Sequence, residues 1–117
     1  MTSPQEVAAA SAMLRSVHVA ESLLRYVRAL GAATRADQRL RLGASTRGLR
    51  ALIRCAQAYA AAQGRNYVVP NDLQRLAEPV LAHRLLLARE AQLSGAGAAG
   101  VLAEVVASIN VPRPSAD

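Results

Sequence analysis

The apolar residues of this chain recur every three or four positions, in blocks that glycine, proline and polar clusters cut short. From residue 20, Leu23, Leu24, Val27, Leu30 and Thr34 share one helical face while Arg25, Arg28 and Arg35 lie on others, which predicts a helix over residues 20–36. A polar segment, "DQRLRLGAS", then links to a second strong pattern. There Leu49, Leu52, Ile53, Ala56 and Tyr59 or Ala60 form the buried stripe, and Gly64 supplies the left-handed residue that commonly follows a helix. Repeated blocks of this length predict an all-α fold, a small helical bundle of five or six helices with one or two very short extended segments.

The remaining punctuation fills in the bundle. Near the start, "TSPQEVAAASAML" carries Ser3, Pro4 and Glu6 in the order of a capping box with proline at the first helical position, predicting a helix over about residues 4–14. "SVHV" alternates apolar and polar residues briefly, as one short extended segment would. In "RNYVVPNDLQRLA" a second extended piece at 67–69 precedes Pro70, and Asn71 and Asp72 fall in the first turn of a helix, where acidic groups suit the dipole. Pro79 lacks a backbone donor and clashes with the preceding turn, so a break is expected there, followed by a further helical piece, "PVLAHRLLL". "AREAQLSGAGAAG" is expected as a loop and "VLAEVVASI" as a short apolar helix. One domain is expected over residues 1–112, with disorder over 113–117.

At 117 residues the chain is long enough for one compact domain and too short for two ordinary ones. Its 52% hydrophobic content overstates the core, since much of it is alanine and there is no Phe or Trp. No apolar run approaches the roughly 20 residues that span a bilayer, and the N-terminus lacks a signal-peptide pattern, so no membrane role and a cytoplasmic location are expected. Cys55 is the single cysteine, which excludes an internal disulfide; it is expected as a small buried or half-buried side chain. The net charge of +6 asks for an acidic partner or an anionic ligand. All 14 basic residues are arginine, a usage that also follows from a GC-rich genome, so basicity alone argues weakly for nucleic acid.

Few motifs carry chemistry. "SGAGAAG" has no lysine and no preceding buried strand, as a phosphate-binding or dinucleotide loop would need, and reads as a flexible linker. His18 and His83 lie far apart with no Ser, Cys or Asp constellation around them; His83 and Arg84 are expected to fix a helix turn. The carboxylates Glu21, Asp37, Asp72, Glu78, Glu90 and Glu104 are scattered, with no pair for acid–base work and no metal-ligand spacing. That leaves the arginines. Arg47, Arg50 and Arg54 fall at i, i+3 and i+7, along one side of the helix that Ser45 and Thr46 open. A cation in the first turn is disfavoured by about 0.3–1 kcal/mol, because the free N–H groups there already carry partial positive charge. Two explanations compete: a plain solvated stripe, or an anion site made by Arg47 and the helix start.

The stretch "LRLGASTRGLRALIRCAQAYAAAQGRNYVVPNDLQRLAEPVLAHRLLL" resembles the C-terminal lid subdomain of AAA+ ATPases of the MoxR family. The family pattern has a Gly-Ala-Ser-[Pro/Thr]-Arg segment opening a lid helix, a Tyr-Val-x-Pro-x-Asp segment opening the next, and Leu-Ala-His-Arg after it. The likeness covers about residues 17–87, and continues more faintly through "GVLAEVVASINVPRP". Thr46 stands where proline is common in the family, and Val69 where a threonine cap is common.

The resemblance implies an AAA+ lid that packs on an ATP-binding core and moves with nucleotide state. Arg47 matches the family's sensor arginine, which contacts the γ-phosphate of ATP, with Ser45 and Thr46 as possible supporting residues at the helix start. It further implies a parent that binds ATP and Mg²⁺ and assembles as a hexameric ring. That parent would act as a chaperone-like remodeller with a von Willebrand A domain partner. Walker A and Mg²⁺-binding segments are absent from these residues, so the isolated chain is expected to be no enzyme and to hold no cofactor of its own. Its expected partner is the N-terminal ATPase core of the same chain. The alternatives are a small basic helical DNA-binding domain, disfavoured by scarce base-contacting side chains, and a protein-interaction module. Arg50, Arg54, His18 and His83 receive no role from the resemblance.

Overall fold

The structure is a computed structural model that describes Gln5 and residues 13–112. Its helices are α1 (Glu21–Ala36), α2 (Thr46–Ala62), α3 (Pro70–Leu81), α4 (Arg89–Leu93) and α5 (Ala98–Ser108). The expected capping box, most of the helix over 4–14 and the tail over 113–117 lie outside the described residues; residues 13–15 are helical. The expected small helical bundle is what the chain forms.

The core follows the periodicity. Leu23, Val27 and Leu30 of α1 meet Leu49, Leu52, Ala56 and Ala60 of α2, with Leu73 and Leu81 of α3 and Val101, Leu102 and Val105 of α5 completing the cluster. Burying each of the leucines stabilises the fold by about 1.5–3 kcal/mol. Ile53 of the expected stripe is half-buried, because α2 turns that side toward a shallow groove against α1.

The ends of α2 are closed by recognisable chemistry. Ser45 is the N-cap, its hydroxyl accepting the Gly48 N–H at 3.0 Å, an arrangement worth about 1 kcal/mol. At the other end Gly64 has φ +79°, and the N–H groups of Gly64 and Arg65 reach back to the carbonyls of Ala61 and Ala60 in a Schellman arrangement. Arg65 then grips Asp72 through two bonds of 2.8 Å, while the same carboxylate accepts the Val69 N–H at 2.9 Å. One buried acid thus joins the end of α2 to the start of α3, and with valine at the cap position the Asp72 N–H donates to the Val69 carbonyl at 3.0 Å in place of a side-chain hydroxyl.

The two expected extended segments meet each other: His18 and Tyr67 form an isolated parallel bridge, with His18 N–H donating to Asn66 and Val68 N–H donating to His18. Other expectations are corrected. The "DQRLRLGAS" link contains a strand, β1 (Leu40–Leu42), which pairs antiparallel with β2 (Leu86–Leu87) across a bulge. The helix carrying Pro79 does not break there. It continues to Leu81, because Pro79 and Arg75, four residues earlier, both lie on the exposed side, where water can take the carbonyl that proline leaves unpaired.

The predicted helical piece "PVLAHRLLL" is instead the end of α3, a 3₁₀ turn (Ala82–Arg84) and β2. The predicted loop "AREAQLSGAGAAG" holds α4 and the start of α5, and only residues 94–97 connect them, with Gly95 at φ +88°. Cys55 is exposed, one residue from the Ala56 that faces the core. The expected hydrogen bonds of His83 and Arg84 do not form among the described residues; both side chains are exposed.

Asp37, Arg39 and Glu104 tie β1 to α5. Arg39 donates to Asp37 at 2.8 and 3.0 Å and also pairs with Glu104. Hydrogen bonds from Arg39, first the side chain and then the backbone N–H, hold the Asp37 carboxyl below its usual range. The same two carboxylates raise the Arg39 pKa.

Candidate functional site

The arginine-bearing start of α2 is held in place from behind. Gly43 lies so close to the end of α1 that a Cβ there would come within 2.7 Å of the Arg35 backbone nitrogen, so only glycine fits. Ala44, buried, donates its N–H to the Thr34 hydroxyl at 2.9 Å, and that hydroxyl donates to the Gly31 carbonyl at 2.8 Å. The Arg35 guanidinium donates to the Ala44 carbonyl at 3.1 Å. Each backbone polar group of Ala44 is therefore satisfied by α1, and Ser45 follows in extended conformation as the cap.

Thr46 and Arg47 take the first two helical positions, both exposed. Ser45 thus supports the site by capping, while the Thr46 side chain lines the surface beside Arg47. The N–H groups of Thr46 and Arg47 have no intrahelical acceptor, as in every first turn. Arg47, Arg50 and Arg54 line one open depression on this face, together with Thr46, Ala51 and Cys55.

A fourth arginine joins them from outside the helix. Arg84, on the 3₁₀ turn after α3, lines the same depression. Its stem packs over Gly48, where a Cβ would meet Leu81 Cδ2 tightly at 3.3 Å, Ser45 Oγ at 3.4 Å and Arg84 Cδ at an ordinary 3.8 Å. The sequence pattern ties Arg84 only to its own turn, since it lies 37 positions beyond Arg47; Gly48 was the one local clue that something packs there. Among the described residues, no carboxylate lies within ion-pair distance of Arg47, Arg50, Arg54 or Arg84.

Elsewhere three arginines are ion-paired: Arg65 with Asp72, Arg39 with Asp37 and Glu104, and Arg28 with Glu21 at 3.6 Å. Arg15, Arg25, Arg35, Arg41, Arg75 and Arg89 have no carboxylate within ion-pair distance among the described residues either, so what sets Arg47, Arg50, Arg54 and Arg84 apart is that they line one depression. His18 and His83 sit on different elements, and among the described residues no group of His, Cys, Asp and Glu could hold a metal ion. No helix is long and apolar enough to cross a membrane among the described residues.

The chain thus presents a helical bundle with a short β1–β2 ladder and a capped, arginine-headed helix on one open face. The AAA lid domain family matches residues 32–105, and the chain belongs to that family. It is 36% identical over 99 residues to the uncharacterized protein YeaC of Bacillus subtilis, an alignment covering 85% of this chain and 31% of that protein. Protein MoxR of Paracoccus denitrificans is 44% identical over 48 residues, 41% of this chain and 14% of MoxR.

The crystal structure of a candidate ATPase from Cytophaga hutchinsonii superposes with a TM-score of 0.83 at 28% identity, over 93% of this chain and 36% of that one. The chain is thus the lid subdomain of a MoxR-like AAA+ ATPase, as the resemblance of its motifs implied. It spans about a third of the length of YeaC and of the Cytophaga protein.

Proposed function

We propose that this lid reports the state of ATP bound to an adjoining ATPase core, with Arg47 contacting the terminal phosphate. One observation carries the reading: Arg47 heads a capped helix, exposed, without a carboxylate partner among the described residues. A cation at that position is unfavourable in isolation and becomes favourable when a phosphate approaches, since the guanidinium and the first-turn N–H groups then act on the same anion. Hydrolysis and loss of the γ-phosphate would release that contact and free the lid to move, coupling chemistry to conformation.

The core of the same chain supplies the rest of the site in this reading, including the phosphate loop and the Mg²⁺ ligands. The isolated lid is then no ATPase, and ATP with Mg²⁺ belongs to the parent. A hexameric ring, a chaperone-like remodelling activity with a von Willebrand A domain partner, and a cytoplasmic location are parts of the same proposal and rest on the family resemblance alone. Replacing Arg47 by Ala in the full-length protein tests it: ATP turnover should fall by about 100–1,000-fold, the range for removing one charge-stabilising group from a transition state, with the lid still folded. Unchanged turnover would remove Arg47 from the mechanism.

A further inference from the structure

We propose that Arg84 is a second phosphate-contacting arginine, which closes with Arg47 on the polyphosphate of a bound nucleoside triphosphate; the inference rests on the sensing role proposed for Arg47. Two elements distant in sequence bring guanidinium groups to one depression: α2 brings Arg47, and the 3₁₀ turn brings Arg84. The approach is close, since the Arg84 stem passes over Gly48 at van der Waals distance, 3.8 Å from where a Cβ would stand, with Leu81 tighter at 3.3 Å. Both side chains are exposed, and neither has an acidic partner among the described residues. Like charges gathered beside a helix N-terminus repel one another, and an anion between them turns that repulsion into attraction.

The chemistry of the anion follows from the number of its holders and from their coming from separate elements. A single phosphate is satisfied by Arg47 and the first-turn N–H groups. A second guanidinium, delivered by another element, adds a second point of attachment, which suits a chain of linked phosphates. Arg25 serves as an internal comparison: it has the same charge, is exposed on α1 without a carboxylate partner among the described residues, and does not line this depression.

The test uses the full-length ATPase with ATP as the probe, comparing Arg84→Ala, Arg84→Lys, Arg25→Ala and Arg47→Ala for kcat and KM and for binding of a non-hydrolysable ATP analogue. Arg84→Ala should weaken analogue binding about tenfold, the effect of losing one charge-assisted hydrogen bond. Arg84→Lys should restore part of that loss, and Arg25→Ala should stay within about twofold of the parent, as for a solvated surface charge. Equal losses for Arg84→Ala and Arg25→Ala would mean general electrostatic attraction and overturn the proposal. An unchanged Arg84→Ala beside an impaired Arg47→Ala would overturn it while leaving the sensing role intact. If Arg47→Ala is also unchanged, both readings fall.

Discussion

The Thr34 hydroxyl accepts the Ala44 N–H at 2.9 Å, fastening the last turn of α1 to the residue before the α2 cap. Thr34 is fully buried, so nothing else can take over that bond. Thr34→Val keeps the shape and removes the acceptor, leaving a buried N–H unsatisfied. A loss of about 1–3 kcal/mol is expected in denaturant unfolding. A variant as stable as the parent would show that water or a shifted loop satisfies Ala44.

Two glycine replacements should have opposite signs. Gly43→Ala drives a Cβ against the Arg35 and Thr34 backbone, where neither side can yield, and is expected to destabilise by about 3 kcal/mol or more. Gly100 lies in α5 with open space around its Cβ position. Gly100→Ala should raise stability by about 0.5–1 kcal/mol through better helix propensity. Thermal melts of the two variants beside the parent give both signs in one experiment.

Acid should unfold this domain through Asp72. Burial works against its charge, but the Arg65 guanidinium and the Val69 N–H outweigh that and hold the carboxyl below its ordinary value of 3.8. The unfolded chain therefore binds this proton at higher pH than the folded one. The stability that the charge contributes is complete above the unfolded value and is lost as pH falls through the folded one. Unfolding free energy should be level down to about pH 5 and decline below about pH 4, with Asp37 adding in the same sense. Asp72→Asn should cost about 3 kcal/mol at neutral pH and flatten the acid decline. A decline of the same steepness in that variant would assign it to other groups.

Duplex DNA should bind this domain weakly and without persistence in salt. The four arginines of this face, and others without a carboxylate partner among the described residues, attract any polyanion at low ionic strength, but counterion release makes such binding fall steeply as salt rises. Fluorescence anisotropy at about 0.15 M salt should show no dissociation constant below about 10⁻⁶ M. Tighter binding there would revive the DNA-binding alternative.

Local signals announced the helices well. The α1 and α2 stripes, the Ser45 cap, the Gly64 stop and the Pro70 start each rest on neighbours within a turn or two, and each stands where expected. What escaped depends on partners far along the chain. Strand β1 is three residues long and is defined by pairing with β2, more than 40 residues later. Pro79 stayed helical because tertiary packing left its side of α3 facing water. At the candidate site the α2 arginines could be lined up from their spacing alone, whereas Arg84 joins them only through the fold.

The contact between Gly43 and α1 has a mechanical meaning. A loop that touches the preceding helix backbone to backbone has no slack, so α1 and the head of α2 form a single stiff strut. A displacement of the head of α2 is then shared by α1, a lever of 16 residues more than 20 Å long.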